Sequence, residues 1–110
     1  MTEIKDWHAH VYFDAGTSDP AKQLREAIEQ KFSNIVMGRW HEKPVGPHPS
    51  WSYQVAFPNE IFGELVPWLT LNHLGLTVFV HPNTGEDIPD HTEYALWIGT
   101  QCELNLDSLR

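Results

Sequence analysis

Seven of the 110 residues are histidine, and most sit in short motifs of turn and aromatic residues. They read His8-Ala9-His10, Trp40-His41, Gly46-Pro47-His48-Pro49, Val80-His81-Pro82-Asn83-Thr84-Gly85 and Asp90-His91-Thr92, with His73 standing apart. Imidazole binds iron, zinc and copper, and it titrates nearer neutral pH than other side chains. Any one of these residues reads most simply as a solvated turn histidine, but the spacing of the set points to a shared site. His-X-His on a strand puts both rings on one side, with Cα atoms about 7 Å apart from a rise of ~3.3 Å per residue. Both rings can then touch one metal, or one can ligate while the other handles protons. Such ligation suits Fe(II), Zn(II), Cu(II), Ni(II) or Mn(II), and the single Cys102 excludes a cysteine-based structural zinc.

The elements that must position these residues follow from periodicity. Trp7 to Phe13 alternates, placing His8, His10 and Tyr12 on one face and Ala9, Val11 and Phe13 on the other. Asp14-Ala15-Gly16-Thr17 turns the chain into a helix capped by Ser18 or Asp19, with Pro20 in its first turn and Leu24, Ala27, Ile28 and Phe32 as its apolar stripe. A second strand is predicted from Ile35 to His41 and a third from Trp51 to Phe57. A helix carrying Ile61, Phe62, Leu65, Trp68 and Leu69 follows, kinked or split by Pro67, and a fourth strand runs from Leu76 to His81. A short helix from about Thr92 to Trp97, stopped by Gly99, is predicted for the tail, with Asp90 and Glu93 at capping-box spacing.

That order predicts a single α+β domain, a ferredoxin-like sandwich with a four-stranded antiparallel sheet, two helices on one face and a C-terminal extension. The first and third strands are expected as parallel central neighbours. On that arrangement His8, His10, His41, His48 and His81 reach one rim, and His73 lies at the other. Ala9, Val11 and Phe13 suit the helix-covered core, so His8, His10 and Tyr12 should line a helix-free face shared with Ser52 and Gln54, a reasonable ligand cleft. Trp7, Tyr12, Trp40, Trp51, Tyr53 and Trp97 either wall that cleft or pack in the sheet.

A formal charge of −8, with only seven scattered lysines and arginines, argues against nucleic-acid binding through phosphates. One unpaired cysteine gives no sign of an oxidising compartment. The N-terminus lacks the pattern of a signal peptide, and no apolar run reaches the ~18 residues that would suggest a membrane span. The expectation is a cytoplasmic protein, with the open sheet face as a homodimer surface.

Together, His8-Ala9-His10-Val11-Tyr12-Phe13-Asp14, the segment from Trp40-His41 to Gly46-Pro47-His48-Pro49, Val80-His81-Pro82-Asn83-Thr84-Gly85, Asp90-His91-Thr92 and Leu96-Trp97-Ile98-Gly99 resemble the DOPA 4,5-dioxygenase family of small extradiol enzymes. The resemblance spans nearly the whole chain in order. It implies a non-haem Fe(II) enzyme that opens a catechol ring beside its two hydroxyls with O2. On this reading His10, His48 and His81 hold the metal, and one of His8, His41 or His91 moves protons. Tyr12 and Trp40 contact the substrate. Arg39 either pairs with a substrate carboxylate or is a solvated strand-end charge. Many relatives carry Arg at the position of His73, consistent with leaving His73 outside the site. Asp14, Glu86, Asp87 and Asp90 are the candidates for a carboxylate ligand, although acidic turn residues are more often caps. Two other readings keep the histidines and change the role: a zinc-dependent hydrolase or isomerase, and a non-enzymatic small-ligand or metal-binding module.

Overall fold

The structure is a computed structural model that describes residues 2–110. Strand β1 (Asp6–Phe13) leads into helix α1 (Ser18–Lys31), β2 (Val36–Met37) and β3 (Trp51–Phe57). Helix α2 (Phe62–Asn72), β4 (Thr77–Asn83), α3 (Asp87–His91) and β5 (Leu96–Ile98) follow. The strands form one sheet in the order β2-β3-β1-β4-β5. Its first four members have the ferredoxin-like order, with β5 added at the β4 edge. Among the described residues no helix is long and apolar enough to cross a membrane.

Both long helices cover the same face of the sheet. Ala21, Leu24 and Ile28 of α1 and Leu65 and Leu69 of α2 meet Ala9, Val11, Tyr53, Val55, Val78 and Val80 in one core. These strand residues share one parity along their strands, which is why period-two alternation separates this core from the opposite face. Pro67 removes one N–H from α2, yet the helix runs unbroken from Phe62 to Asn72 rather than splitting.

All strand pairs are antiparallel, including β1 with β3, where Trp7 lies opposite Phe57 and Phe13 opposite Trp51. This corrects the expectation that the first and third strands are parallel. The β1-α1-β2 crossover returns the chain in its starting direction one strand away, and the β2-to-β3 reversal then sets β3 against β1. The start of β1 therefore shares its rim with the ends of β3 and β4. His8, opposite His81, fits that rim. His41 and His48 belong by chain position to the other end of the sheet, so a common rim does not bring the histidines together.

Strand β2 is shorter than predicted because its pairing is interrupted. The Gly38 N–H reaches the Gln54 carbonyl at 2.7 Å, and His41 pairs with Ser52. Arg39 and Trp40 thus stand together opposite Tyr53, a bulge of two residues against one. The bulge turns Trp40 into the helix-covered core, where its ring lies 4.2 Å from Phe13 and stacks on Tyr53 at 5.7 Å. His41 is left on the face of Ser52.

The tail also departs from expectation. The helix ends at His91, and Leu96–Ile98 pairs with β4, placing Trp97 opposite Phe79. An unpaired β4 edge offers N–H and C=O groups that a Leu-Trp-Ile run satisfies better as a strand than as one helical turn. Asp90 does not form a capping box with Glu93. Its buried carboxylate accepts the Thr84 N–H at 2.8 Å and the Thr84 hydroxyl at 2.5 Å, tying the β4–α3 turn. Gly99 ends β5 at φ +87, where an added Cβ would lie 3.0 Å from the Leu76 carbonyl oxygen. Gly99→Ala should therefore destabilise the protein by about 1–3 kcal/mol, the cost of a strained left-handed residue. Denaturant unfolding checks this, and an unchanged midpoint would contradict the turn described.

Candidate functional site

The face opposite the helices carries the histidines. Cross-strand pairing sets His8 beside His81 and His10 beside Phe79, all projecting to this side because they share one parity. His10 Nε2 lies 3.1 Å from His81 Nε2. Two ligands of one metal would stand ~2.9–3.4 Å apart, given bonds of ~2.0–2.1 Å at 90–109°. His8 completes the group: one nitrogen from each of His8, His10 and His81 lies within 4.8 Å of the other two. The chemistry of these donors fits a divalent metal. His81 Nδ1 donates to the Pro82 carbonyl at 2.9 Å, which leaves Nε2 with its lone pair toward His10.

Two further imidazoles flank this group. The loop before β3 folds back over the open face and seats the His48 ring 4.0 Å from that of His10. Its Nδ1 is 2.7 Å from the Tyr12 hydroxyl. On the other side, the His91 ring lies 4.0 Å from that of His81, and its Nδ1 donates to the Asp87 carbonyl at 2.7 Å. Phe79 is the apolar floor, within about 6 Å of the rings of His10, His48, His81 and His91, and Trp97 lies 4.4 Å beside it.

Burial keeps His8, His10, His48 and His81 neutral. It pushes His10 well below its ordinary value, with neighbouring histidines adding to the effect. His48 falls to about 4 and His81 to about 3, in both cases chiefly through desolvation. His8 is lowered for the same reason, partly offset by Asp6. Desolvation also raises the Tyr12 phenol, which therefore stays protonated. Neutral nitrogens with free lone pairs are what a metal requires.

The remaining residues singled out by sequence fall elsewhere. Where sequence reading grouped His10, His48 and His81, the nitrogens that converge are those of His8, His10 and His81, while His48 engages Tyr12. His41 shares the open face opposite Ser52, close enough to His48 to disfavour its protonation. Trp40 is partly buried against the core, and Arg39 is exposed on the bulge at the β2 edge. His73 bonds the Leu76 carbonyl at 2.6 Å in the α2–β4 turn, away from the cluster. None of the four candidate carboxylates joins the three-histidine group: Asp14 bonds Thr17, Asp90 bonds Thr84, and Glu86 and Asp87 are exposed.

Sequence reading missed Phe79, although its parity matches His81 and would have placed it on the histidine face. It also missed the tail as a wall. Asn105 donates to the Pro47 carbonyl at 2.9 Å, joining the tail to the His48 loop. A cleft of about 320 Å³ opens between the tail and the sheet, bordered by His91, Thr92, Trp97, Gln101, Cys102 and Glu103 among others.

Fold and site together define a small α+β sandwich with a metal-capable imidazole cluster on its helix-free face. Residues 7–108 match the Dopa 4,5-dioxygenase family. The chain belongs to that family. It is 36% identical, over 98% of its own length and 51% of the relative's, to a DOPA 4,5-dioxygenase of Amanita muscaria. An uncharacterised 21.2 kDa protein of Botryotinia fuckeliana is 37% identical over 92% of this chain and 61% of its own. The chain thus spans about half to three-fifths of these curated relatives. A crystal structure of a "putative dioxygenase" from Nostoc punctiforme superposes with a TM-score of 0.94 at 48% identity, covering 97% of this chain and 92% of that one.

Two measurements check the site. His10→Ala and His81→Ala should abolish binding of Fe(II) or Zn(II) by the purified protein, and His73→Gln should leave it intact. Full metal occupancy in both alanine variants would place the metal elsewhere. The second measurement is acid stability of the metal-free protein. The unfolded chain takes up protons near pH 6.5, whereas folded His48 and His81 wait until about pH 4 and 3. The unfolded state then binds more protons through that window, so stability is full above about pH 6.5 and falls as pH drops toward 4. Denaturation midpoints at pH 7, 5.5 and 4.5 should decline in that order, and a flat series would mean the imidazoles are not held neutral.

Proposed function

We propose that this protein is a ring-cleaving dioxygenase that opens a catechol with O2 at a non-haem Fe(II) held by His8, His10 and His81. The observation that carries this reading is the convergence of three neutral imidazoles on the open face of a chain from a dioxygenase family. The metal would supply a Lewis acid for the catechol oxygens and a meeting place for O2. The product keeps both oxygen atoms, and the carbon–carbon bond beside the hydroxyls is the one that breaks.

The chain's own residues have separable tasks. His48 lies beside the cluster, its ring 4.0 Å from that of His10, where it can take a proton as a catechol hydroxyl ionises. The protonated Tyr12 phenol, 2.7 Å from Nδ1, orients that ring. His91 sits between the cluster and the cleft and can return a proton to the product. Phe79 and Trp97 give the site an apolar floor and wall, and the tail and the His48 loop limit its exposure to water. The zinc-hydrolase alternative draws on the same all-nitrogen donor set, since three histidines also serve catalytic zinc.

Anaerobic Fe(II) loading, followed by air and a catechol panel including DOPA, separates the two readings. Ring cleavage should consume about one O2 per catechol and give a visible semialdehyde band. His48→Ala should keep iron and slow turnover ~10²–10⁴-fold, the usual scale for lost acid–base help. No oxygen uptake by the iron-loaded protein with any catechol would defeat the proposal.

A further inference from the structure

The cleft beside His91 has a lining that ring opening by itself does not require. It begins where the His91 ring lies 4.0 Å from that of His81, and it runs outward between Trp97 and the tail residues Gln101 to Glu103. Glu103 is the single carboxylate in that lining, which contains neither lysine nor arginine. The one basic residue of the tail, Arg110, is paired with Asp107 at 2.6 Å. Arg39 lies beyond β2 at the opposite edge of the sheet, with β3, β1 and β4 between it and the β5 side.

A group entering this cleft therefore meets one negative charge and the indole of Trp97. A protonated amine gains from both, through an ion pair and through attraction to the aromatic face. A carboxylate placed there would lose water beside a like charge and find no cation to compensate.

We propose that the cleft receives the side chain of the catechol, and that Glu103 selects side chains bearing a protonated amine over those bearing only a carboxylate. The proposal rests on the ring-cleaving reading for its substrate, but charge selection by the cleft can be measured without turnover.

Three probes carry two-carbon side chains of different charge: dopamine (cation), 4-ethylcatechol (neutral) and 3,4-dihydroxyphenylacetate (anion). With the iron-loaded protein, kcat/KM should fall in that order. Glu103→Gln should reduce the ratio of dopamine to 4-ethylcatechol by about 2- to 5-fold, the scale of an exposed ion pair, and Glu103→Lys should invert the order. General damage to the fold would lower all three values without moving their ratio. In parallel, the metal-free protein is titrated with the same probes while the Trp97 indole N–H is followed by NMR. Dopamine should shift that resonance at lower concentration than the anion does, and this preference should shrink in Glu103→Gln. Charge-blind NMR titrations, or a ratio unchanged by Glu103→Gln, would overturn the selection proposal. An intact NMR preference with no cleavage of any probe would support charge selection and overturn the dioxygenase reading alone.

Discussion

The site depends on one constraint, the register of β1 against β4. It places His8 opposite His81 and His10 opposite Phe79, and it brings two imidazole nitrogens to 3.1 Å. A one-residue slip of β1 would send His8 and His10 into the helix-covered core and bring Ala9 and Val11 to the open face. The slip is opposed because the same register buries Ala9, Val11, Val78 and Val80 under α1 and α2. The apolar face thus holds the polar one in place, and the metal-capable group inherits the rigidity of the central strands instead of resting on loops alone.

Clustering histidines without carboxylates carries an energetic consequence. Buried imidazoles close to one another resist protonation, because each added charge would be poorly solvated and would repel its neighbours. The metal-free face is therefore stable only while they are neutral, which is also the state in which they can bind a cation. Hydrogen bonds to backbone carbonyls, His81 to Pro82 and His91 to Asp87, select the tautomer that leaves Nε2 free. The same residues thus serve the fold, as packed rings over Phe79, and the site, as oriented donors.

The open face becomes a site only when two peripheral segments close over it. The loop of residues 42–50 carries His48 back across the sheet, and the tail joins that loop through the Asn105–Pro47 hydrogen bond. Strand β5 then brings Trp97 beside Phe79. His48 and the outer tail therefore come from the least regular parts of the chain, while the metal-capable residues come from the sheet.

The sequence by itself determined the split of β1 into two faces, because period-two alternation is a local property of an extended chain. It also determined the two long helices and the ferredoxin-like order, from apolar stripes and turn residues. His8 and His10 were legible as neighbours on one face for the same reason, and His73 was legible as an outsider from its place before β4. Strand direction was misjudged, since the relative orientation of β1 and β3 is decided by how crossovers pack and not by any residue pattern. Trp40 and Arg39 lay on a bulge, and a single extra residue in the pairing reverses which face each side chain takes. The third member of the nitrogen group, His8 beside His10 and His81, and the engagement of His48 with Tyr12 were decided by tertiary structure alone. A proline-flanked loop has no periodicity to say where it folds back, so only the packing of the tail against it determines where its imidazole comes to rest.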